Sequence, residues 1–159
     1  LCHSPRCRNY GMSQSCPPHV PGPEWLARYL EDKTYAVVFR IDLPADILFS
    51  EERLQITRLL HEIAARVEET AVSIGYCNAK AFAGGSCKEI FCRDHLHCNV
   101  VSGEGKCRHP RSARPSMSGF GINVSRLMRS AGWQLKRVNH ESDENENSLA
   151  TVSALVLIG

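Results

Sequence analysis

The sequence predicts an α/β fold of the α+β kind: a two-layer mixed or antiparallel sheet with helices on one face and two cysteine-rich metal-binding loops. Three observations lead there. Apolar residues alternate through the run TYAVVFRIDL, they recur every three or four positions between Ser50 and Gly75, and eight cysteines gather outside both stretches. The 159 residues are the length of one domain, taken as 1–159, with a first cysteine loop at 1–22 and a second at 84–115.

In chain order, Cys2, Cys7 and Cys16 fall in the first loop, which ends in Cys16-Pro17-Pro18. Tyr35, Val37, Phe39, Ile41 and Leu43 then alternate as on a strand with one buried face, and Pro44 ends it. From Ser50, the residues Ile56, Leu59, Leu60, Ile63, Ala64, Val67 and Ala71 mark one face of an amphipathic helix over about 51 to 74. Ser50 suits its cap, Glu51 and Glu52 suit the positive end of its dipole, and Gly75 is a natural stop. Tyr76 to Phe82 reads as a short strand, after which Gly84-Gly85 releases the chain into the second loop. Beyond it, Met117, Phe120, Val124, Leu127, Met128 and Ala131 are helically spaced. Gly119 and Gly121 weaken the start, leaving a short turn and a helix from about Val124. Two strands, Trp133 to Val138 and Thr151 to Ile158, flank the polar loop NHESDENENS.

Composition narrows the function classes. Nineteen Lys and Arg against 17 Asp and Glu leave a formal charge of +2, too small to predict a polyanionic partner, so nucleic acid is not expected. The longest apolar run, Ala154 to Ile158, is far short of the ~20 residues that span a bilayer. The first 30 residues carry no signal-peptide core, so a cytoplasmic protein without a membrane partner is expected.

The second loop reads GGSCKEIFCRDHLHCNVVSGEGKCRHP and places Cys87, Cys92, Cys98 and Cys107 with gaps of four, five and eight residues. Four thiolates in one glycine-flanked loop can hold an iron–sulfur cluster, with backbone N–H groups approaching the sulfides. The first loop supplies three thiolates, and the proline after Cys16 also occurs after a ligating cysteine in bacterial ferredoxins. Cys77 stands alone; it is either a buried free thiol or the fourth ligand of the first group. Zinc is the alternative metal, for which only the four-residue gaps have the usual spacing. Disulfides would need an oxidising compartment, and the clustering is that of a metal site.

His95 and His97 lie within the second loop, and imidazole replaces thiolate in Rieske centres. His3, His19 and His109 adjoin the cysteine motifs, His61 is expected on the polar side of the long helix, and His140 belongs to the acidic loop. Lys106, Arg108, Arg111 and Arg114 can offset a cluster's negative charge, dock an acidic redox partner, or simply form a solvated face. No nucleotide-binding glycine motif, nucleophile elbow or zinc-protease motif is present.

The ordered set CRNYGMSQSCPP, AFAGGSC, the terminal CRHP and ARPSMSGFGINV resembles the predicted metal-binding family catalogued as domain of unknown function 2284. The resemblance covers nearly the whole chain. It implies iron–sulfur clusters on the matching cysteines, Cys2, Cys7 and Cys16 in the first loop and Cys87, Cys92, Cys98 and Cys107 in the second. It also implies an anaerobic setting, with corrinoid or methyl-transfer enzymes as partners. Family loops usually resemble C-x2-C-x2-C, whereas the first two gaps here are longer. The expectation is thus a protein with two [4Fe–4S]-type clusters that transfers electrons to, or assists, a partner metalloenzyme rather than a stand-alone enzyme. The alternatives are an enzyme or cluster-maturation factor with an open iron, and a zinc-stabilised interaction module.

Overall fold

The computed structural model describes residues 2, 7–133 and 149–159. The fold class is as expected, mixed α+β with an antiparallel sheet. Strand β1 (Tyr35–Pro44) and strand β2 (Lys80–Ala83) flank a central β3 (Leu149–Ile158), in the order β1-β3-β2. All ten β1 residues pair with β3, from Tyr35 opposite Ile158 to Pro44 opposite Leu149, and β2 pairs with residues 154–157. β3 takes the centre because its run VSALVLI is apolar on both faces, as a strand covered from both sides requires.

The two faces of β3 meet different partners. Ala154 and Val156, with Ala81 and Ala83 of β2, pack under α3 (Arg53–Ser73) through Leu60 and Ala64. These alanines let the helix backbone come close to the sheet. Leu155, Leu157 and Phe82 face the other way, onto Leu26 of α1 (Gly22–Leu30) and onto Met117 and Phe120. Met117 and Phe120 sit at a 3₁₀ turn (Ser118–Phe120) that precedes α6 (Val124–Ser130), the turn-then-helix expected there. α3 is the helical layer expected on one face, and the opposite face carries this smaller cover.

Several expectations shift. Among the described residues β1 is an edge strand, and its first half stays open, with Tyr35 at 60% and Val37 at 39% exposure, while Leu43 is buried. The α3 stripe is rotated by one residue: Thr57, Leu60, His61, Ala64, Ala65 and Ala71 are buried, whereas Leu59 is exposed. His61 therefore faces the core and not the polar side. Ser50 does not cap α3 directly. Its hydroxyl accepts the Glu52 N–H, closing the turn between α2 (Ala45–Phe49) and α3. β2 starts only at Lys80, because Tyr76 to Ala79 form a turn closed by the Ala79 N–H to the Tyr76 carbonyl. The expected strand beyond Trp133 and the polar loop after it lie outside the described residues, as do His3 and His140. No described helix is long and apolar enough to cross a membrane.

The strand end at Ala83 gathers both cysteine loops. Its N–H donates to the Pro115 carbonyl at 3.0 Å and its carbonyl accepts from Met117 N–H at 3.3 Å, so the second loop leaves and returns beside one residue. The Ser116 N–H then donates to the Ser15 carbonyl, which pins the first loop to the same place. Gly85, just past this junction, has φ +86°, and a Cβ there would sit 3.0 Å from Thr57 Cγ2 and 3.1 Å from Ile90 Cδ1. Gly85→Ala is therefore expected to destabilise by about 1–3 kcal/mol, read as a lowered denaturant midpoint at unchanged slope.

Candidate metal centres

The second cysteine loop is not irregular throughout. Cys87–Phe91 forms a single turn of helix, α4, and Asn99–Ser102 another, α5. These turns and the closing segment at 107–109 bring Cys87, Cys92, Cys98 and Cys107 onto one cavity, with Ser13, Lys88, Phe91 and Arg108 also in its wall. The cavity has room for about 20 Å³, one water molecule's worth. A larger group fits only if the loop rearranges around it.

The first loop is a chain of tight turns, Tyr10 N–H to Cys7 O, Cys16 N–H to Ser13 O and Gly11 N–H to Pro17 O. They turn Cys2, Cys7 and Cys16 onto a second cavity of about 230 Å³, completed by Ser86, Glu89, Ser116 and Ser118. The two cavities share a wall. Cys16 Sγ lies 3.6 Å from Ser86 Oγ, and the next residue, Cys87, belongs to the other cavity. Among the described residues, no three His, Cys, Asp or Glu side chains meet at a point suited to a single ion. The thiols ring the two cavities instead.

The thiols differ in acidity. Burial, helped by the neighbouring Cys7 and Cys16, pushes Cys2 up. Burial also raises Cys87 despite hydrogen bonds from Ser13 and Ser15, and raises Cys92 despite Arg108. Cys98 goes the other way: burial opposes ionisation, but backbone N–H groups of Gln14, Val101 and Val100, with Arg108, hold its thiol below the usual range. Gln14 belongs to the first loop, so one loop stabilises a thiolate of the other.

Charged groups fix this frame. The Lys88 ammonium is buried and donates to the carbonyls of Cys92 at 2.9 Å and His95 at 2.6 Å. Glu89 accepts from Arg8, from Asn9 at 3.1 Å and from Arg53 of α3 at 2.6 Å, joining the first loop to the long helix. Of the basic residues singled out in the sequence, Arg108 lines the second cavity, while Lys106 and Arg111 are exposed. Arg114 is 8% exposed, and its guanidinium meets Glu68 Oε1 at 2.9 Å, so it belongs to the core and not to a solvated face.

Of the eight sequence-predicted thiols, seven line the two cavities in the two groups expected. Cys77 does not; it is exposed, with its thiol 3.6 Å from the Gly75 carbonyl. His95 and His97 are exposed and line neither cavity, whereas His109 lines the second and stacks on Phe91. His19 is exposed, with Nε2 3.2 Å from the Gly11 carbonyl. Sequence reasoning missed Lys88, Glu89 and the serines at 13 and 86. Their signal was adjacency to cysteines in the two motifs.

The family model described as Predicted metal-binding protein (DUF2284) matches residues 1–158. The chain belongs to this family. No curated protein and no solved structure matches it. Family membership makes the protein a predicted metal binder and leaves the metal unspecified, so the donor chemistry decides which group fits. A tetrahedral zinc at about 2.3 Å from each sulfur would draw four thiolates to within ~4 Å of one another. A cluster that seats each thiolate on a different iron needs a space between the sulfurs; the three-thiol cavity has about 230 Å³ of it, and the four-thiol loop would have to open beyond its 20 Å³ to take one.

Proposed function

We propose that the protein holds two iron–sulfur clusters of the [4Fe–4S] type and passes single electrons to a partner protein. The observation that carries this reading is the pair of thiol-lined cavities sharing one wall. Cys87, Cys92, Cys98 and Cys107 would hold one cluster, and Cys2, Cys7 and Cys16 the other. Each cluster supplies a one-electron couple when bound. The chain does the rest. Arg108 and the Cys98 amide donors offset thiolate charge, the contact from Cys16 to Ser86 keeps the two centres adjacent, and exposed Lys106 and Arg111 offer a docking face to an acidic redox partner.

The test is metal and acid-labile sulfide content of protein purified without oxygen, with an electron paramagnetic resonance spectrum after reduction. Two four-iron clusters predict about eight iron and eight sulfide per chain. Zinc without sulfide would sink the reading. Cys77→Ser is expected to leave iron, sulfide and spectrum unchanged, because its thiol lines neither cavity. A variant that loses iron would place Cys77 among the ligands.

A further inference from the structure

A second face of α3 stays open among the described residues. Leu60 and Ala64 pack on the sheet, but to one side of them Leu59, Ile63, Val67, Thr70 and Ile74 recur every three or four positions, one mainly apolar stripe that runs to the C-cap of the helix. With Ile158 at the end of β3 they line a groove of about 550 Å³. Leu59 is 47% and Ile74 69% exposed. Tyr35 pairs with Ile158, and Tyr35 and Val37 share the strand face of Phe39, which packs on the α3 side, so these two exposed residues extend the same patch over β1. Single apolar side chains on a surface are ordinary, whereas a continuous patch marks an interaction site.

The charges on the groove say what covers it. Glu62 and Arg66 are the charged residues among the described ones that line it, and they stand about one helical turn apart. A second α3 laid parallel against the stripe would set like charges against each other. Laid antiparallel, about a twofold axis that crosses the helix between the two residues, it sets Glu62 against the partner's Arg66 and Arg66 against the partner's Glu62. A surface that carries both halves of its own ion pair about one centre is complementary to itself, as an isologous dimer interface must be. Within the chain, Glu62 meets Arg58 at 3.1 Å and Arg66 meets Glu69 at 3.7 Å. Both are exposed helix-surface pairs of the weak kind, so neither withholds Glu62 or Arg66 from a partner.

We propose that two copies of this chain dock through this groove, α3 antiparallel to α3, with Leu59, Ile63 and Ile74 buried between them and two reciprocal Glu62–Arg66 pairs on the rim. The groove shares no lining residue with either cysteine cavity, so the proposal does not depend on which metal those cavities hold.

Sedimentation equilibrium tests it on the full chain, purified without oxygen and kept under reductant so that the exposed Cys77 cannot cross-link. The wild type is expected at twice the 17.7 kDa chain mass, falling toward one chain mass on dilution. Glu62→Arg and Arg66→Glu each place like charges at both reciprocal contacts and should each raise the dissociation constant about tenfold or more. The double swap Glu62→Arg/Arg66→Glu rebuilds both pairs with their signs reversed and should return the dissociation constant to within about threefold of wild type. Leu59→Lys/Ile74→Lys changes only exposed side chains and should give a monomer with the wild-type far-ultraviolet circular dichroism spectrum. A wild type that stays at one chain mass up to its highest soluble concentration overturns the proposal and leaves the groove to residues 134–148 or to a different protein. A dimer that survives Leu59→Lys/Ile74→Lys uses another face and overturns it equally. Single swaps that weaken the dimer, with a double swap that fails to restore it, overturn the antiparallel pairing.

Discussion

Cys98→Ser is expected to lose about half of the iron and sulfide, all from the four-thiol centre, and to leave the first loop's centre in place. Cys98 ionises more readily than Cys87 and Cys92 across its cavity, because three backbone N–H groups and Arg108 favour its anion against the effect of burial. A serine hydroxyl does not ionise near neutral pH and is a poor partner for iron. The loss should also loosen the loop. The cavity between these thiols has room for about one water, so a cluster would need residues 87–107 to rearrange around it, and on the two-cluster reading metal binding and the order of the loop are coupled. Limited proteolysis should cut the variant between Cys92 and Cys107 at least tenfold faster than the loaded wild type, with metal analysis run on the same sample. Full iron content in Cys98→Ser would remove Cys98 from the ligand set.

The same coupling gives a sign for pH. Cys87 and Cys92 are raised above the ordinary thiol range by burial, so protons compete with metal for them more strongly than for Cys98. Cluster loading should therefore fall as pH is lowered during reconstitution, and in Arg108→Gln it should fall at a higher pH. Arg108 is what opposes burial at Cys92 and assists ionisation at Cys98. Iron uptake measured at a series of pH values, compared between the two proteins, checks this. Coincident profiles would show that Arg108 plays no part in loading.

The grouping of the thiols was legible in the sequence because ligand loops are local: cysteines a few residues apart between glycines meet almost wherever the loop lies. β3 and α3 were legible for the same reason, one as an unbroken apolar run and the other as several turns of repeating pattern. The single-turn helices α4 and α5 were not, since four or five residues are too few to display a period. α1 hid behind Pro21, Gly22 and Pro23, whose composition reads as loop, although proline in a first helical turn is well tolerated. The rotation of the α3 stripe was lost because alanines carry a weak hydrophobic signal. Ala64, Ala65 and Ala71 lie against the sheet, where only small side chains let the helix approach, and the bulkier Leu59 drew the stripe toward solvent. Adjacency of the two cavities depends on Ser15 meeting Ser116 and Cys16 meeting Ser86, contacts that span 70 residues or more of chain, which no local pattern encodes.

His61 is the residue most displaced by that rotation, and it carries the second large prediction. Its side chain is fully buried, 0% exposed, and both ring nitrogens are used. Nδ1 accepts the Arg114 backbone N–H at 3.1 Å, which assigns the proton to Nε2 and makes it the donor to the Gly84 carbonyl at 3.0 Å. Gly84 and Arg114 are the two ends of the second cysteine loop, so one neutral imidazole on α3 ties both. A second proton would have to go on Nδ1, where the Arg114 N–H already points. Burial, with the Arg114 guanidinium, lowers the pKa to about 4 from 6.5, against the pull of the Gly84 carbonyl. The folded state thus binds fewer protons here than the unfolded chain. The resulting stability is fully present above about pH 6.5 and is lost as pH falls toward 4, about 3 kcal/mol over the whole window. His61→Leu should flatten that dependence. It should also cost about 2–5 kcal/mol at pH 7, because the Gly84 carbonyl and the Arg114 N–H are both left without a partner. Denaturant unfolding of the two proteins at pH 7 and pH 5 measures both effects. If wild type and variant lose the same stability between those values, the tie through His61 is not what acid undoes.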